Sequence, residues 1–403
     1  MTVILYAIPG FFILMALELA FDYSRKTGYY RLNDAIASLS IGMLSRVATI
    51  IKTLIPLSVY ALLAEQMALF SWPDGWHYWL LAFVIYDFLY YWNHRLGHEV
   101  SILWAAHVVH HSSEEYNLTT ALRQTSGSIL NWIFFIPMAF LGIPFEMLAT
   151  IAALNLVYQF WVHTRHVGEL GVLDRILVTP SNHRVHHAQN DRYIDRNYGG
   201  VFILWDRLFG TFQPELKDDP PVYGIRSALH SWSPLFANWH HYQQLIRDSW
   251  QTARWSDKWR VWFGRTGWRP QDVLATLPPK QRFSPDNFKK FDIELSAHAK
   301  GYAALQLGFS LFLTVVILLG IEQMLLGQQL IACTALACLL VAQGALIEAK
   351  PWFAKAETVK WLAIGVFIAV VPLATWALWS IIGFALVSAG WALFNRADPI
   401  PNN

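Results

Sequence analysis

NHRLGHE (residues 93–99), HVVHHSSEEYN (107–117), HTRH (163–166) and SNHRVHHAQN (181–190) hold most of the chain's 15 histidines. On a helix, positions three and four apart share a face. His94 and His98 therefore point one way, and each HxxHH triplet, His107/His110/His111 and His183/His186/His187, sets three imidazoles on one face. Two of the clusters adjoin apolar runs: His94 ends the run 76–92 and His163 ends the run 144–162. Polar groups at membrane depth are costly and usually functional. Gathering about nine imidazoles at one membrane boundary demands a strong compensating interaction, which metal coordination supplies, and neutral imidazole suits iron, zinc, copper and nickel. A zinc hydrolase needs three protein ligands and one open position, too few to account for this set. Two six-coordinate ions with shared or open positions take roughly eight to ten protein ligands. Lone histidines such as His77, His230 and His298 read as structural, as do His166, His240 and His241 with less force.

Composition points to the bilayer as solvent. Of 403 residues 55% are hydrophobic and only 14% charged, where a soluble globular chain carries about 25% charged residues. The 20 Trp and 16 Tyr suit membrane interfaces. A net charge of +2 gives no basic field and excludes nucleic acid as an expected partner. Cys333 and Cys338 are five apart in an apolar run, which is neither a redox nor a zinc spacing, so they read as packing residues. The first apolar run lacks a basic leader and a small-residue cleavage site and is expected to stay as a membrane helix.

A spanning helix needs about 20 mostly apolar residues. The expected spans are 3–21, 35–56 with a continuation to 70, 76–92, 128–140, 144–162, 302–321, 330–347 and a long run 359–394 that breaks near Pro372. Gly142 and Pro144 predict a tight hairpin between the fourth and fifth. The fold expected is all-α: a polytopic transmembrane helical bundle bearing a helical cytoplasmic cap, formed by 93–124 and 163–300, that holds a histidine-rich di-metal site. Three parts follow: N-terminal membrane helices (1–75), a catalytic region of membrane helices plus cap (76–300), and C-terminal membrane helices (301–403). Arg25, Lys26 and Arg31, then Lys350, Lys355 and Lys360, fall between spans, and the 163–300 section is basic too. Placing them all in the cytoplasm puts every histidine cluster at that face.

Cleaving an unactivated C–H bond requires a strong oxidant made from dioxygen, and two ions can share the electrons. That argument leaves hydroxylation and desaturation equally open. From another class, a histidine-rich metal transport or sensor protein would spread its ligands along a membrane path, whereas here they gather on one side.

The order HxxxH, HxxHH, HxxHH resembles the fatty acid hydroxylase and sterol desaturase superfamily of membrane di-iron enzymes. The stretches YYWNHRLGHE (90–99), WAAHVVHHSSEEYNLTTALRQ (104–124), FWVHTRHVGELG (160–171), TPSNHRVHHAQNDRYIDRNYGGVFILWDRLFGTF (179–212) and PPVYGI (220–225) are similar to the alkylglycerol monooxygenase branch, over about 87–270. Carried over by position, the resemblance implies metal ligation by His94, His98, His107, His110, His111, His183, His186 and His187, with His163 as the ninth. It also aligns Glu114 with an acidic residue important in the family, as an acid that orients a ligand ring or binds a cofactor, the other reading being an acid that solvates a loop. Asp87, an acid inside an apolar run two turns before His94, reads as a partner behind the ligands, the other reading being an ion pair with Arg95 or Arg123. Asn182 and His166 depart from the family pattern. The resemblance implies two iron ions, dioxygen, a membrane lipid substrate hydroxylated beside an ether oxygen, and a reduced pterin or another external electron donor. No flavin, dinucleotide or iron–sulfur motif is present in the sequence. Localisation is expected in the inner membrane of a bacterium or the endoplasmic reticulum of a eukaryote. A channel walled by 76–92 and 128–162, with Phe83, Phe88, Tyr91, Phe134, Leu156 and Phe160, is expected to admit the lipid chain.

Overall fold

Helices dominate because apolar runs are long and their breakers few. The computed structural model describes residues 2–52, 54–126, 130–278, 284 and 288–394. In chain order the helices are α1 (Thr2–Arg25), α2 (Leu32–Lys52), α3 (Leu54–Gln66), α4 (Trp76–Glu99), α5 (Ser101–His111), α6 (Leu118–Ala121), α7 (Ile136–Phe140), α8 (Phe145–Trp161), α9 (Pro180–His186), α10 (Leu204–Leu208), α11 (Pro234–Gln251), α12 (Trp255–Phe263), α13 (Gln271–Thr276), α14 (Ala297–Gly320), α15 (Leu326–Ile347), α16 (Phe353–Val370) and α17 (Thr375–Phe394). Among the described residues there is no β-strand, only isolated bridges such as Val100 with Arg265 and Leu177 with Phe202. The all-α class stands.

Three of these helices are long and apolar enough to cross a membrane: Tyr6–Arg25, Ala297–Gln323 and Leu326–Ile347. Other expected spans take different forms. The run 35–70 becomes α2 and α3, with residue 53 between them outside the described residues, and Pro56 lies in the first turn of α3. In the run 128–140, residues 128 and 129 lie outside the described residues. Its remainder is a 3-10 turn, Asn131–Phe135, leading into the five residues of α7. Proline lacks an N–H and is tolerated in a helix's first turn, so Pro137 starts a new segment there. The break expected near Pro372 lies between α16 and α17.

The chain forms two compact units that interleave in sequence. The first comprises 1–30, 52–229 and 238–289. Its apolar core joins Tyr60 of α3, Ala82 and Tyr86 of α4, Met138 and Ala139 of α7, and Met147 and Ile151 of α8. Between His163 and Leu229 it is mostly turns, with α9 and α10 as short pieces.

The second unit comprises 31–51, 230–237 and 290–403. Phe309, Leu313 and Ile317 of α14 pack with Leu336, Leu339 and Leu340 of α15, Ile364 and Phe367 of α16, and Met43 and Val47 of α2. A polar cluster lies inside this apolar bundle. The fully buried Lys360 ammonium donates to Glu357 Oε2 at 2.6 Å and Gln306 Oε1 at 3.1 Å. Tyr302 donates to the same Glu357 oxygen at 2.9 Å, and Gln306 Nε2 donates to Ser388 at 2.9 Å.

The predicted hairpin turns at Gly142, which adopts φ +79°. A Cβ there would fall 2.1 Å from the carbonyl oxygen of Phe70. Gly171 has φ +66° with nothing within 4 Å of a Cβ. Left-handed backbone alone costs a side chain about 1–2 kcal/mol, so Gly171→Ala is expected to lose about that much. Gly142→Ala adds a backbone clash and is expected to lose about 3 kcal/mol or more. Equilibrium unfolding of the detergent-solubilised variants checks this, and equal losses would show that the clash relaxes.

Candidate metal centre

Each ligand-bearing segment has a local reason for its shape. α4 keeps His94 and His98 on one face and stops where Val100 turns extended, with φ −113°. α5 then starts at Ser101 and carries His107, His110 and His111. Pro180 opens α9 in the first turn, where its missing N–H is no loss, and the helix delivers His183 and His186 with His187 at its end. His163 follows α8 directly.

The structure brings all nine histidines together in two groups. His94, His98, His107, His111 and His186 form one, and His110, His163, His183 and His187 the other; within each group the candidate ligand atoms lie within 4.8 Å of one another. Four rings have their Nδ1 on a main-chain carbonyl. His94 faces Tyr198 O at 2.8 Å, His110 faces Arg123 O at 3.0 Å, His163 faces Gln159 O at 2.7 Å and His186 faces Arg196 O at 3.0 Å. A carbonyl only accepts, so these Nδ1 atoms carry the hydrogen, and in the neutral ring Nε2 is a bare lone pair. His163 Nε2 and His110 Nε2 are then two lone pairs 3.3 Å apart.

Neighbouring Nε2 pairs lie at 3.1 Å (His94–His107, His111–His107, His183–His163) and 3.2 Å (His187–His183). Two nitrogens each about 2.1 Å from one ion, at slightly more than a right angle, have that separation. His98 Nε2, His186 Nε2 and His183 Nδ1 are buried with no hydrogen-bond partner. Lone pairs in contact and unpartnered ring nitrogens fit first-row metal ions in both groups. Burial holds the imidazoles of His107, His111, His163, His183, His186 and His187 well below the ordinary histidine range, with repulsion among the rings adding to it. Burial pushes His110 down to about 4. The rings are therefore neutral at pH 7, the form that binds metal. Trp104 lies against His98 and His111, and Tyr116 against His163 and His187.

Asp87 belongs to neither group. It is fully buried and accepts from Val201 N at 2.8 Å, Phe202 N at 3.0 Å, Trp205 Nε1 at 2.9 Å and Asn155 Nδ2 at 3.2 Å. The ion pair with Arg95 or Arg123 is corrected: N–H donors surround the carboxylate, Arg95 pairs with Glu99, and Arg123 donates to Val109 O and Ser112 Oγ. Gly200 must be a glycine here, since a Cβ would sit 2.7 Å from the Tyr90 ring and 2.9 Å from Asp87 Oδ1. Glu114 is buried beside Gly224, outside both groups. His166 lies 3.9 Å from Asp22, and His241 is on α11; neither joins the groups. Of the expected channel residues, Phe160 stacks on Phe11, Phe88 meets Trp205, and Tyr91 bonds to Thr211.

Several positioning groups escaped the sequence reading. Asp206 accepts from Tyr198 N and Gly199 N, each at 2.7 Å, and so aims the Tyr198 carbonyl at His94. Glu18 of α1 accepts from Leu118 N at 2.8 Å, from Thr164 beside His163 and from Tyr30. The carbonyls of Arg123, Gln159, Arg196 and Tyr198 leave no signal in residue type. For Asp206 and Glu18 the only signal was an acid beside or within an apolar run, the same one that singled out Asp87.

A family model described as fatty acid hydroxylase matches residues 79–211. The chain is similar to human alkylglycerol monooxygenase, at 44% identity over 268 residues, covering 66% of this chain and 59% of the human protein. It is 38% identical to the zebrafish (Danio rerio) alkylglycerol monooxygenase over 365 residues, covering 89% of this chain and 80% of that protein. An ornithine lipid hydroxylase of Rhizobium tropici is 32% identical over 198 residues, covering 46% and 58% of the two chains. The similarity reaches beyond the 87–270 stretch that carried the resemblance. No solved structure matches.

Two outcomes follow for the protein itself. Between about pH 6.5, where histidine in an unfolded chain takes a proton, and about 4, where folded His110 does, the unfolded state binds more protons. Stability of the metal-free protein should therefore fall as pH drops through that window; a urea midpoint unchanged from pH 7.5 to 5 would contradict this. Asp87→Ala strands four N–H donors, each worth about 1–3 kcal/mol where buried, and loosens the 198–205 turn. It should lose several kcal/mol of stability and bind metal about 10–100-fold more weakly, with Asp87→Asn in between by titration.

Proposed function

The chain belongs to the fatty acid hydroxylase family and is a membrane lipid monooxygenase; on that premise we propose that it is a di-iron enzyme hydroxylating the carbon beside the ether oxygen of an alkylglycerol. The observation that carries the di-iron part is the pair of adjacent imidazole groups, five and four strong, with lone pairs that face one another. His94, His98, His107, His111 and His186 would hold one ion, and His110, His163, His183 and His187 the other. When bound, the two irons supply dioxygen activation.

The chain's own residues do the rest. Carbonyls of Arg123, Gln159, Arg196 and Tyr198 hold four rings in one tautomer, and the surrounding Trp104 and Tyr116 rings exclude water. Asp87 is a positioning residue acting through the 198–205 turn. Glu114, three residues after His111, is assigned the role of a buried acid that orients a ligand or a cofactor. Overall, R–CH2–O–R′, dioxygen, two electrons and two protons give R–CH(OH)–O–R′ and water; the hemiacetal then parts into an aldehyde and an alcohol. The electrons would come from an external donor, a reduced pterin being the one the sequence resemblance implies. The basic residues between spans favour a site on the cytoplasmic side, Lys360 excepted, since it is buried within α16 and not between spans.

The test is turnover of an alkylglycerol under 18O2 with a reduced pterin. One labelled oxygen should appear in the nascent aldehyde, before it exchanges with water, and the purified protein should hold about two irons. Losing a group that only orients a ligand ring costs up to about a hundredfold, so loss of a ligand in His110→Ala should exceed that and lower bound iron, with the protein still folded. An unsaturated product without label would point to a desaturase. Full turnover and full iron in His110→Ala would remove that residue from the ligand set.

A further inference from the structure

The tryptophan-rich section after the metal centre has no part in the chemistry above. On α12, Trp255, Trp259 and Phe263 are 77%, 66% and 59% exposed, and their spacing of four puts them on one face. On α11, Trp239 and Trp250 are 52% and 85% exposed. The other side of this pair of helices is well buried: Val261 of α12 packs with Leu245 of α11 and with Ala105 of α5. The uncovered aromatic face is thus rigidly backed.

Its charges have one sign outward. Arg247, Arg254 and Arg260 are exposed, whereas Asp248 is buried, paired with Arg269 at 2.6 Å and more loosely with Arg247 at 3.8 Å, and Asp257 is half-buried. Lys258 caps the end of α11, donating to Ser249 O at 2.9 Å and Trp250 O at 3.3 Å. Tryptophan with arginine on an amphipathic helix is the composition of the bilayer interface, where rings settle at headgroup level and cations meet anionic phosphates.

We propose that α11 and α12 form an interfacial anchor, lying in the headgroup layer with Trp250, Trp255, Trp259 and Phe263 toward the acyl chains and Arg247, Arg254 and Arg260 on anionic lipid. α12 rests on α5, the helix that carries His107, His110 and His111. Immersion of the anchor therefore sets the depth of the metal centre near the junction of lipid headgroup and chain, where an ether-linked carbon lies. That consequence rests on the lipid monooxygenase reading; the anchor itself is tested without turnover.

The full chain, with Cys333→Ala and Cys338→Ala, is placed in nanodiscs and given single nitroxide labels at cysteines replacing Trp259, Phe263 or the exposed Asp218 of the turn section, with Leu319 on the span Ala297–Gln323 as a lipid reference. At 259 and 263, collisions with oxygen should exceed those with a water-soluble nickel chelate by about threefold or more, and at 218 the order should reverse. Adding phosphatidylglycerol to phosphatidylcholine should deepen the label at 259, and Arg254→Gln with Arg260→Gln should remove that response. A label at 259 as open to nickel as the one at 218, with 319 embedded in lipid, overturns the proposal and leaves the membrane reading standing; the face would then belong to a soluble partner. Equal depth in both lipid mixtures overturns the anionic part.

Discussion

Two neutral imidazoles that turn their lone pairs on each other repel unless a proton or a cation lies between them. In this chain the repulsion is built in, because the rings of His110 and His163 each spend their only N–H on a main-chain carbonyl. Their Nε2 atoms are then held 3.3 Å apart with nothing of their own to share. In the other group His94 and His186 likewise spend their N–H on main-chain carbonyls. Burial makes protonation an expensive escape, as the depressed imidazoles show, so a metal ion is the remaining way to satisfy these nitrogens. The elements that deliver the rings, α4, α5, α9 and the end of α8, converge on this requirement.

What keeps the rings so aimed is a set of buried carboxylates that bind backbone rather than metal. Asp206 and Asp87 take up consecutive N–H groups of the 198–205 turn. Glu18 takes up one N–H after α5 and a hydroxyl beside His163. Each carboxylate replaces the ladder that a helix or sheet would provide. The section around the metal centre can therefore be irregular and still hold the ring nitrogens of each group within 4.8 Å of one another. The cost is sensitivity: a buried acceptor of several N–H groups has no substitute of equal charge and reach.

The histidine pattern was legible because periodicity alone fixes which rings share a face, and because few other interactions explain so many imidazoles beside apolar runs. The division of nine into five and four was not, since it depends on how α9 meets α4 and α5. Asp87 was visible as an acid out of place, but its partners were not, because backbone N–H groups carry no residue identity. Hydropathy also overstated regularity: 128–140 is apolar enough for a helix, yet Pro137 divides it. Nor does hydropathy name a helix's neighbours, which is why the interleaving of the two compact units, with 31–51 grouped with 290–403, lay beyond it.

The ammonium of Lys360, sealed among apolar helices with Glu357, Gln306 and Tyr302, bears on how the protein is made. A lysine at the middle of a helix opposes transfer into lipid by about 2.5–3.5 kcal/mol, and α16 carries it near its centre. Gln306 and Tyr302 sit on α14, which the ribosome has already released when α16 emerges. The lysine carries part of its own answer, since Glu357 lies one turn back on the same helix, and α14, made earlier, completes the set with Gln306 and Tyr302. The charge can thus be neutralised within α16 and solvated by a helix already made.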